Sequence, residues 1–345
     1  MNLPTMPYIN PPSSAGNAQR VEAFFWAVAV SVFREDLKSC GMDEMVIGRH
    51  PGGVGGLARV PMDGTDLIVS GNDEDVCVWD PGSGTLLARS EQRFNGINGM
   101  AAGRRSAAGP VIAVASEDTI GWVDALTGGV VAYPIAEDDT YWELAVAEMP
   151  DGSRVLFGGA HGAPASLVRW DVDSGRPLRP LGVRGVTSVA VVASSRGPIV
   201  FAGGADTVRQ WDPGRGGECG PPIVVPDDEL IVHIAAAELP DGRILLACST
   251  ESSLYRWDAT TGAALGPPIR PLGYIAEILV EAGRPCLVTA DDDGMVRRRD
   301  AETGEVVADL VPGHSPVIFR LQGVPMIAAG RPGGVIVARP LTPIP

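Results

Sequence analysis

A short signature recurs along this chain: a residue that is usually Trp, then Asp, then a polar turn closed by Gly. It reads VWDPGSG from Val78, WVDALTG from Trp122, RWDVDSG from Arg169, QWDPGRG from Gln210, RWDATTG from Arg256 and RRDAETG from Arg298. The Asp residues fall at Asp80, Asp124, Asp171, Asp212, Asp258 and Asp300, with successive gaps of 44, 47, 41, 46 and 42. A self-similar period of this length marks an array whose units cannot bury their faces alone. A chain of 345 residues would otherwise suggest two or three domains. The repeat makes the array one domain instead, because each unit depends on its neighbours.

Every unit has the same internal order. A short apolar run comes first, such as ELAVAEM from Glu143 or VHIAAAEL from Val232, followed by a turn that reads PDG at Pro150 and Pro240. A second, strongly apolar run comes next: DLIVSG from Asp66, RVLFGGA from Arg154, RILLACS from Arg243. The signature run and an outer run complete the unit. Such runs, bounded by Gly, Pro and Asp, read as strands, and 44 Gly and 30 Pro supply the turns. Near-continuous apolar character fits strands covered on both faces. Four strands per repeat make one propeller blade. The expected fold class is therefore all-β, a seven-bladed β-propeller, with an N-terminal helical extension.

Residues 43–345 resemble the WD-repeat β-propeller family. The Trp-Asp pair stands at Trp79, Trp170, Trp211 and Trp257, with Gly four residues past each Asp. Val123 and Arg299 replace the Trp in the second and sixth units, and Arg339-Pro340 replaces the pair in the seventh. The family's Gly-His is clear at Gly313-His314, with an echo at Gly48 to His50. The resemblance implies a buried Asp, His, Ser/Thr and Trp network, which these replacements leave incomplete in most blades. Acidic residues six before the Trp position, Asp73, Glu117, Glu251 and Asp293, read as turn formers. The last unit, from Ser315, shows only three runs. The resemblance implies that residues near 43–48, with Glu44 to Ile47 at their centre, supply its outer strand and close the ring. Closure removes an exposed edge.

Residues 1–42 form a separate segment. Asn17 to Lys38 reads as a helix built on VEAFFWAVAVSVF, Val21 to Phe33. The apolar run is shorter than the ~20 residues a membrane span needs. The long tail before it, and Glu22 within it, argue against a signal peptide. A helix apolar nearly all round must be buried. It packs on the propeller, joins two copies as a homodimer contact, docks a partner, or covers one end of the channel.

The formal charge is −15 and the pI near 4.7, which disfavours nucleic acid as a partner. Cys40, Cys77, Cys219, Cys248 and Cys286 are scattered, with no C-x-x-C pair. That pattern suits reduced thiols in the cytoplasm rather than disulfides or zinc. His50, His161, His233 and His314 are too far apart in sequence to suggest a metal pair, so no metal is expected. No P-loop, nucleophile elbow, zincin or dinucleotide motif occurs, so no cofactor is expected. Residue usage, rich in Ala, Gly, Arg, Asp and Val and poor in Lys, is that of a GC-rich bacterial chain.

Function on such a scaffold sits at the channel mouth. Aligning the units places Gly55, Asn98, Glu143, Thr187, His233, Ala276 and Ile318 at one inner-strand position. The next position holds Gly56, Gly99, Leu144, Ser188, Ile234, Glu277 and Phe319. Asn98, Thr187 and Glu277 are candidate binding residues. Glu143 and His233 are a candidate acid–base pair, facing one another across the mouth from the third and fifth blades. The entering loops add Asp138, Asp139, Tyr141, Trp142, Asp227, Asp228 and Tyr274. An acidic rim with aromatics suits a basic partner. In Arg297-Arg298-Arg299, strand alternation sends Arg298 one way and its neighbours the other. Two functions stay open: a scaffold that docks a protein or peptide, and a cofactor-independent cyclase, isomerase or lyase acting on a small molecule. Whether the chain is an enzyme is not decided by these residues.

Overall fold

The computed structural model describes residues 44–342, except 107–108, 118, 137–140, 161–166, 183–184, 227–228, 271–272 and 282. The expected N-terminal helix and tail lie outside the described residues. Seven antiparallel sheets follow one another along the chain, each beginning with its innermost strand. The third blade runs Tyr141–Glu148, Arg154–Ala160, Leu167–Asp171 and Pro177–Leu181. The fourth has its outer strand in two pieces, Gly217–Glu218 and Ile223–Val224. Among the described residues no helix is long and apolar enough to cross a membrane.

The seventh blade is built from both ends of the described chain. His314–Leu321, Val324–Gly330 and Val335–Pro340 pair in order, and Met45–Arg49 adds the outer strand. Ile47 is fully buried there, among Trp79, Phe319 and Met326. Glu44 is held by Arg331 at 2.6 Å and Arg339 at 3.3 Å. The expected closure is thus present, with its strand starting one residue later than Glu44.

The core is divided as the repeat dictates. Seven apolar clusters each fill the space between two neighbouring blades. Packing of sheet on sheet explains why the strands read as apolar on both faces. Cys77, Cys248 and Cys286 are buried within it. Burial pushes the Cys77 thiol up to about 11 and the Cys248 thiol to about 12. They behave as small hydrophobes.

The signature residues shape the turn after the third strand. Oδ1 of Asp80 accepts the Gly82 N–H at 2.9 Å, and Oδ1 of Asp212 accepts the Gly214 and Arg215 N–H groups at 2.9 Å. The backbone carbonyl of each Asp then accepts the N–H of the Gly four residues on, as in Gly84 to Asp80 and Gly304 to Asp300 at 2.9 Å. Those glycines hold φ near +70 to +80°, so the position favours Gly.

In three blades the residue before the signature Trp position tethers one blade to the next. Arg169 donates to the Pro213 carbonyl at 3.1 Å, Gln210 to the Ala259 carbonyl at 2.8 Å, and Arg298 to the Thr342 carbonyl at 2.7 Å. Arg298 is buried and also pairs with Glu281 at 3.3 Å, while Arg297 and Arg299 turn the other way onto Asp291. The alternation expected for this basic run holds.

Candidate functional site at the channel mouth

Register defines the mouth. The second-strand residue opposite each Trp position is Ile68, Ile112, Leu156, Val200, Leu246, Leu287 or Ile327. Three residues further along that strand, the innermost-strand partners are Gly56, Gly99, Glu143, Ser188, His233, Tyr274 and His314. Only Glu143 and His233 match the row expected from sequence. The bulge at Ala276 and an irregularity after His314 displace the row in the sixth and seventh blades, whereas the first and fourth blades pair without a register shift and the sequence alignment is one residue off there. A bulge adds one residue and re-aims its neighbours.

The side chains of this row reach from blade to blade. Glu143 Oε2 accepts the Ser188 hydroxyl and, at 3.1 Å, the Val189 N–H of the fourth blade. Ser188 Oγ accepts the Ile234 N–H of the fifth blade at 2.9 Å. Glu143 Oε1 also lies 3.8 Å from His233 Nδ1. The two candidate groups therefore approach one another, an ion pair when His233 is protonated, rather than facing each other at a distance. His233 packs on Tyr274 with ring centroids 5.1 Å apart. The Tyr274 hydroxyl accepts the Ser315 N–H at 2.7 Å, and Ser315 Oγ donates to the Gly55 carbonyl at 3.0 Å. A continuous polar girdle thus runs from the third blade round to the first. The row is glycine on the remaining arc. At Gly99 an added Cβ would lie 2.9 Å from the Trp142 carbonyl oxygen and 3.2 Å from Glu143 Cα, so only glycine fits.

Burial alone would lower the His233 pKa, but the hydrogen bond and charge of Glu143 outweigh it and raise it above 6.5. Glu143→Gln removes the raising causes and leaves the burial. The His233 titration midpoint, followed by NMR, is expected above 6.5 in the native protein and below 6.5 in Glu143→Gln. An unchanged midpoint would show that Glu143 does not set it.

The other candidates divide. Trp142 occupies a bulge and is 49% exposed, and Leu230 and Val232, at the start of the fifth blade, are also exposed. Asn98 is an exposed bulge residue. Thr187 stands one residue before the row and donates to the Ile231 carbonyl at 2.9 Å, linking two blades. Tyr141 is fully buried, edge-on to Trp170 at 5.4 Å, and is a core residue rather than a rim residue. Asp138, Asp139, Asp227 and Asp228 lie outside the described residues.

Glu277 sits deeper. Its register equivalents are Ala58, Ala101, Ala145, Ala190, Ala235 and Val317, so it is the one carboxylate in a row of small apolar residues. Burial pushes its carboxyl up, against the pull of Arg59 and of the Ile318 N–H. Tyr274, expected on an entering loop, stands in the row itself, while Ser188, aligned one position past Thr187, and Ser315 were not among the candidates. Ser188 was one residue from Thr187, and no local signal distinguishes the two.

A second polar cluster lies inside the first blade. The Trp79 indole donates to Ser70 Oγ at 2.8 Å, and His50 Nδ1 contacts the same Oγ at 2.7 Å. His50 Nε2 reaches Asp75 Oδ1 at 2.8 Å, and Asp75 Oδ2 accepts Arg89 Nε at 2.7 Å. His50, Asp75 and Cys77 place possible metal-ligand atoms within 4.8 Å of one another. Both imidazole nitrogens and both carboxylate oxygens are already engaged, and the raised thiol stays protonated, so the cluster is a hydrogen-bond network. In the third and fourth blades Gly158 and Ala202 replace Ser70, and the buried indole N–H groups of Trp170 and Trp211 have no partner among the described residues. In the sixth blade Arg299 substitutes for Trp, bonding Thr289 Oγ1 at 3.2 Å and Asp291 at 2.5 Å.

A cleft of about 380 Å³ lies at the other end of the fifth and sixth blades, lined by residues that include Leu239, Leu265, Pro285 and Glu302. It is remote from Glu143 and His233.

No family model matches the chain, and no curated protein matches it. Among solved structures it is similar to one described as the structure of the Dos1 propeller, with 15% identity and a TM-score of 0.56. That match covers 79% of this chain and 75% of the other. At this identity the likeness shows the propeller fold alone.

Proposed function

We propose that the protein is an interaction scaffold that docks a protein or peptide at the channel mouth. The observation that carries this reading is Trp142, held out by a bulge, exposed, and next to the Glu143–His233 pair. Exposed aromatics with adjacent polar groups are the usual anchors of interfaces. The carboxylate of Glu143 and the net charge of −15 favour a basic partner. We read the chain as a divergent WD-repeat protein, a reading supported by the Trp79, Ser70, His50 and Asp75 network. Unpaired cysteines, three of the four described ones buried, support a cytoplasmic location.

Panning a library of basic peptides against the full chain tests the reading. Selected peptides are expected to lose binding at least about tenfold in Trp142→Ala, the effect of a hot-spot anchor. Binding that survives this change, or none at all, overturns it. The 3.8 Å approach of Glu143 to His233 favours a second reading, an acid–base pair acting on a small molecule. Native mass spectrometry showing a retained small molecule, lost in Glu143→Ala and His233→Ala, would select that reading instead.

A further inference from the structure

The outer strands form an uneven perimeter. In register with the Trp positions, their residues are Leu86 in the first blade, Val130 in the second, Pro177, Glu218 and Ala264 in the next three, and Val306 in the sixth. Leu86, Val130 and Val306 are all exposed. The large aliphatic members of this row thus lie on the sixth, first and second blades, on either side of the seventh. In the seventh blade Met45 pairs with Ala338, so the same position falls to Glu44, where the described chain begins. Its ion pairs with Arg331 and Arg339 fix that entry point. The neighbouring Val46 is the most exposed large apolar residue, at 62%.

We propose that the apolar segment Val21 to Phe33 of this same chain docks on the perimeter of the first and second blades, over Val46, Leu86, Leu87, Leu126 and Val130. Three observations set the occupant and the direction. The segment has only Glu22 and Ser31 as polar residues, so burial against an apolar surface is favourable. Phe33 and Glu44 are eleven positions apart, a tether of at most ~40 Å, which keeps the segment on the side of the ring that holds the closure. The closing strand lies directly against the outer strand of the first blade: a Cβ on Gly84 would sit 3.3 Å from the Ile47 carbonyl oxygen. The Gly128 carbonyl accepts the Glu91 N–H at 3.0 Å, which brings the Leu126 turn up to the end of that strand and makes the aliphatic belt continuous. Among the described residues the sixth blade offers only Val306 and Val307, and its outer strand packs on the second and third strands of the seventh blade.

Hydrogen exchange on the full chain tests the docking. Amides of residues 21–33 are expected to exchange at least ~100-fold more slowly than in a free peptide, independently of protein concentration. The double variant Leu86→Asp, Leu87→Asp should abolish that protection while the third to fifth blades exchange as before, which shows the propeller intact. A photo-crosslinker at Leu87 should capture residues 21–33 of its own chain. Fast exchange of the segment overturns the proposal. So does protection that ignores the double variant, or protection lost on dilution, which would place the segment between two copies.

Discussion

Deleting residues 1–48 is expected to abolish cooperative unfolding of the propeller, or to lower its melting temperature by more than about 10 °C. The deletion removes Met45–Gly48 from the outer strand of the seventh blade, and with it the ladder to Val335–Pro340. It leaves Val335–Pro340 as an open edge. Burial of Ile47 alone contributes about 2 kcal/mol, and its loss also uncovers Trp79, Phe319 and Met326 on both sides of the closure. In a ring every blade covers two others, so an opened seam exposes the first blade as well as the seventh. Deleting only residues 1–42 keeps Glu44, the closing strand and its ion pairs, and this shorter deletion should melt cooperatively. Differential scanning calorimetry on both truncations separates closure from any contribution of the apolar segment. A cooperative melt at unchanged temperature after removal of 1–48 would show that the closing strand does not hold the ring.

The repeat was legible because its chemistry is local. Each signature Asp closes its own turn through its own carboxylate, and each Gly supplies the backbone conformation that the turn demands, so the pattern survives where Trp does not. Closure was legible for a topological reason: a last unit with three strands needs a fourth from somewhere, and EMVI lies in the right place. The row at the mouth was legible only at Glu143 and His233. Bulges at Asn98, Trp142, Val232 and Ala276 insert one residue without disturbing the apolar alternation that sequence alignment follows. The bulge at Ala276 brings Tyr274 into the girdle, whereas Ser188 stands in place of Thr187 on a strand of unbroken register, one residue off in the alignment itself. Tyr141 looked like a rim aromatic because it sits beside Trp142, yet the strand turns it into the core against Trp170. The Glu143–His233 contact joins blades that are not neighbours, and no sequence spacing reports a distance across a channel.

The buried network of the first blade should make stability fall toward acid in two separate windows. Burial holds His50 neutral and lowers its pKa below 6.5. The unfolded chain therefore takes up a proton near pH 6.5 that the folded chain refuses, and stability falls as pH drops from there through the folded pKa. Asp75 gives the second window. Burial opposes its charge, but the hydrogen bonds and charges of Arg89 and His50 outweigh that and hold its pKa below 3.8. Its contribution is complete above 3.8 and is lost as pH falls through the lower folded value. His233 acts in the opposite sense, since its raised pKa contributes below pH 6.5 and is lost as pH rises through the folded value. Asp75→Ala strands the buried His50 and removes the partner of Arg89, and at pH 8 it is expected to destabilise the protein by about 3 kcal/mol. His50→Asn leaves Asp75 with Arg89 and is expected to cost less, about 1–2 kcal/mol. The diagnostic is the gap between native protein and His50→Asn in urea unfolding. It should narrow as pH falls from 7 toward 5, because only the native chain loses the His50 contribution there. A gap that stays constant across that range would mean His50 titrates alike in both states, and the network would then stabilise the blade by packing rather than by keeping an imidazole neutral.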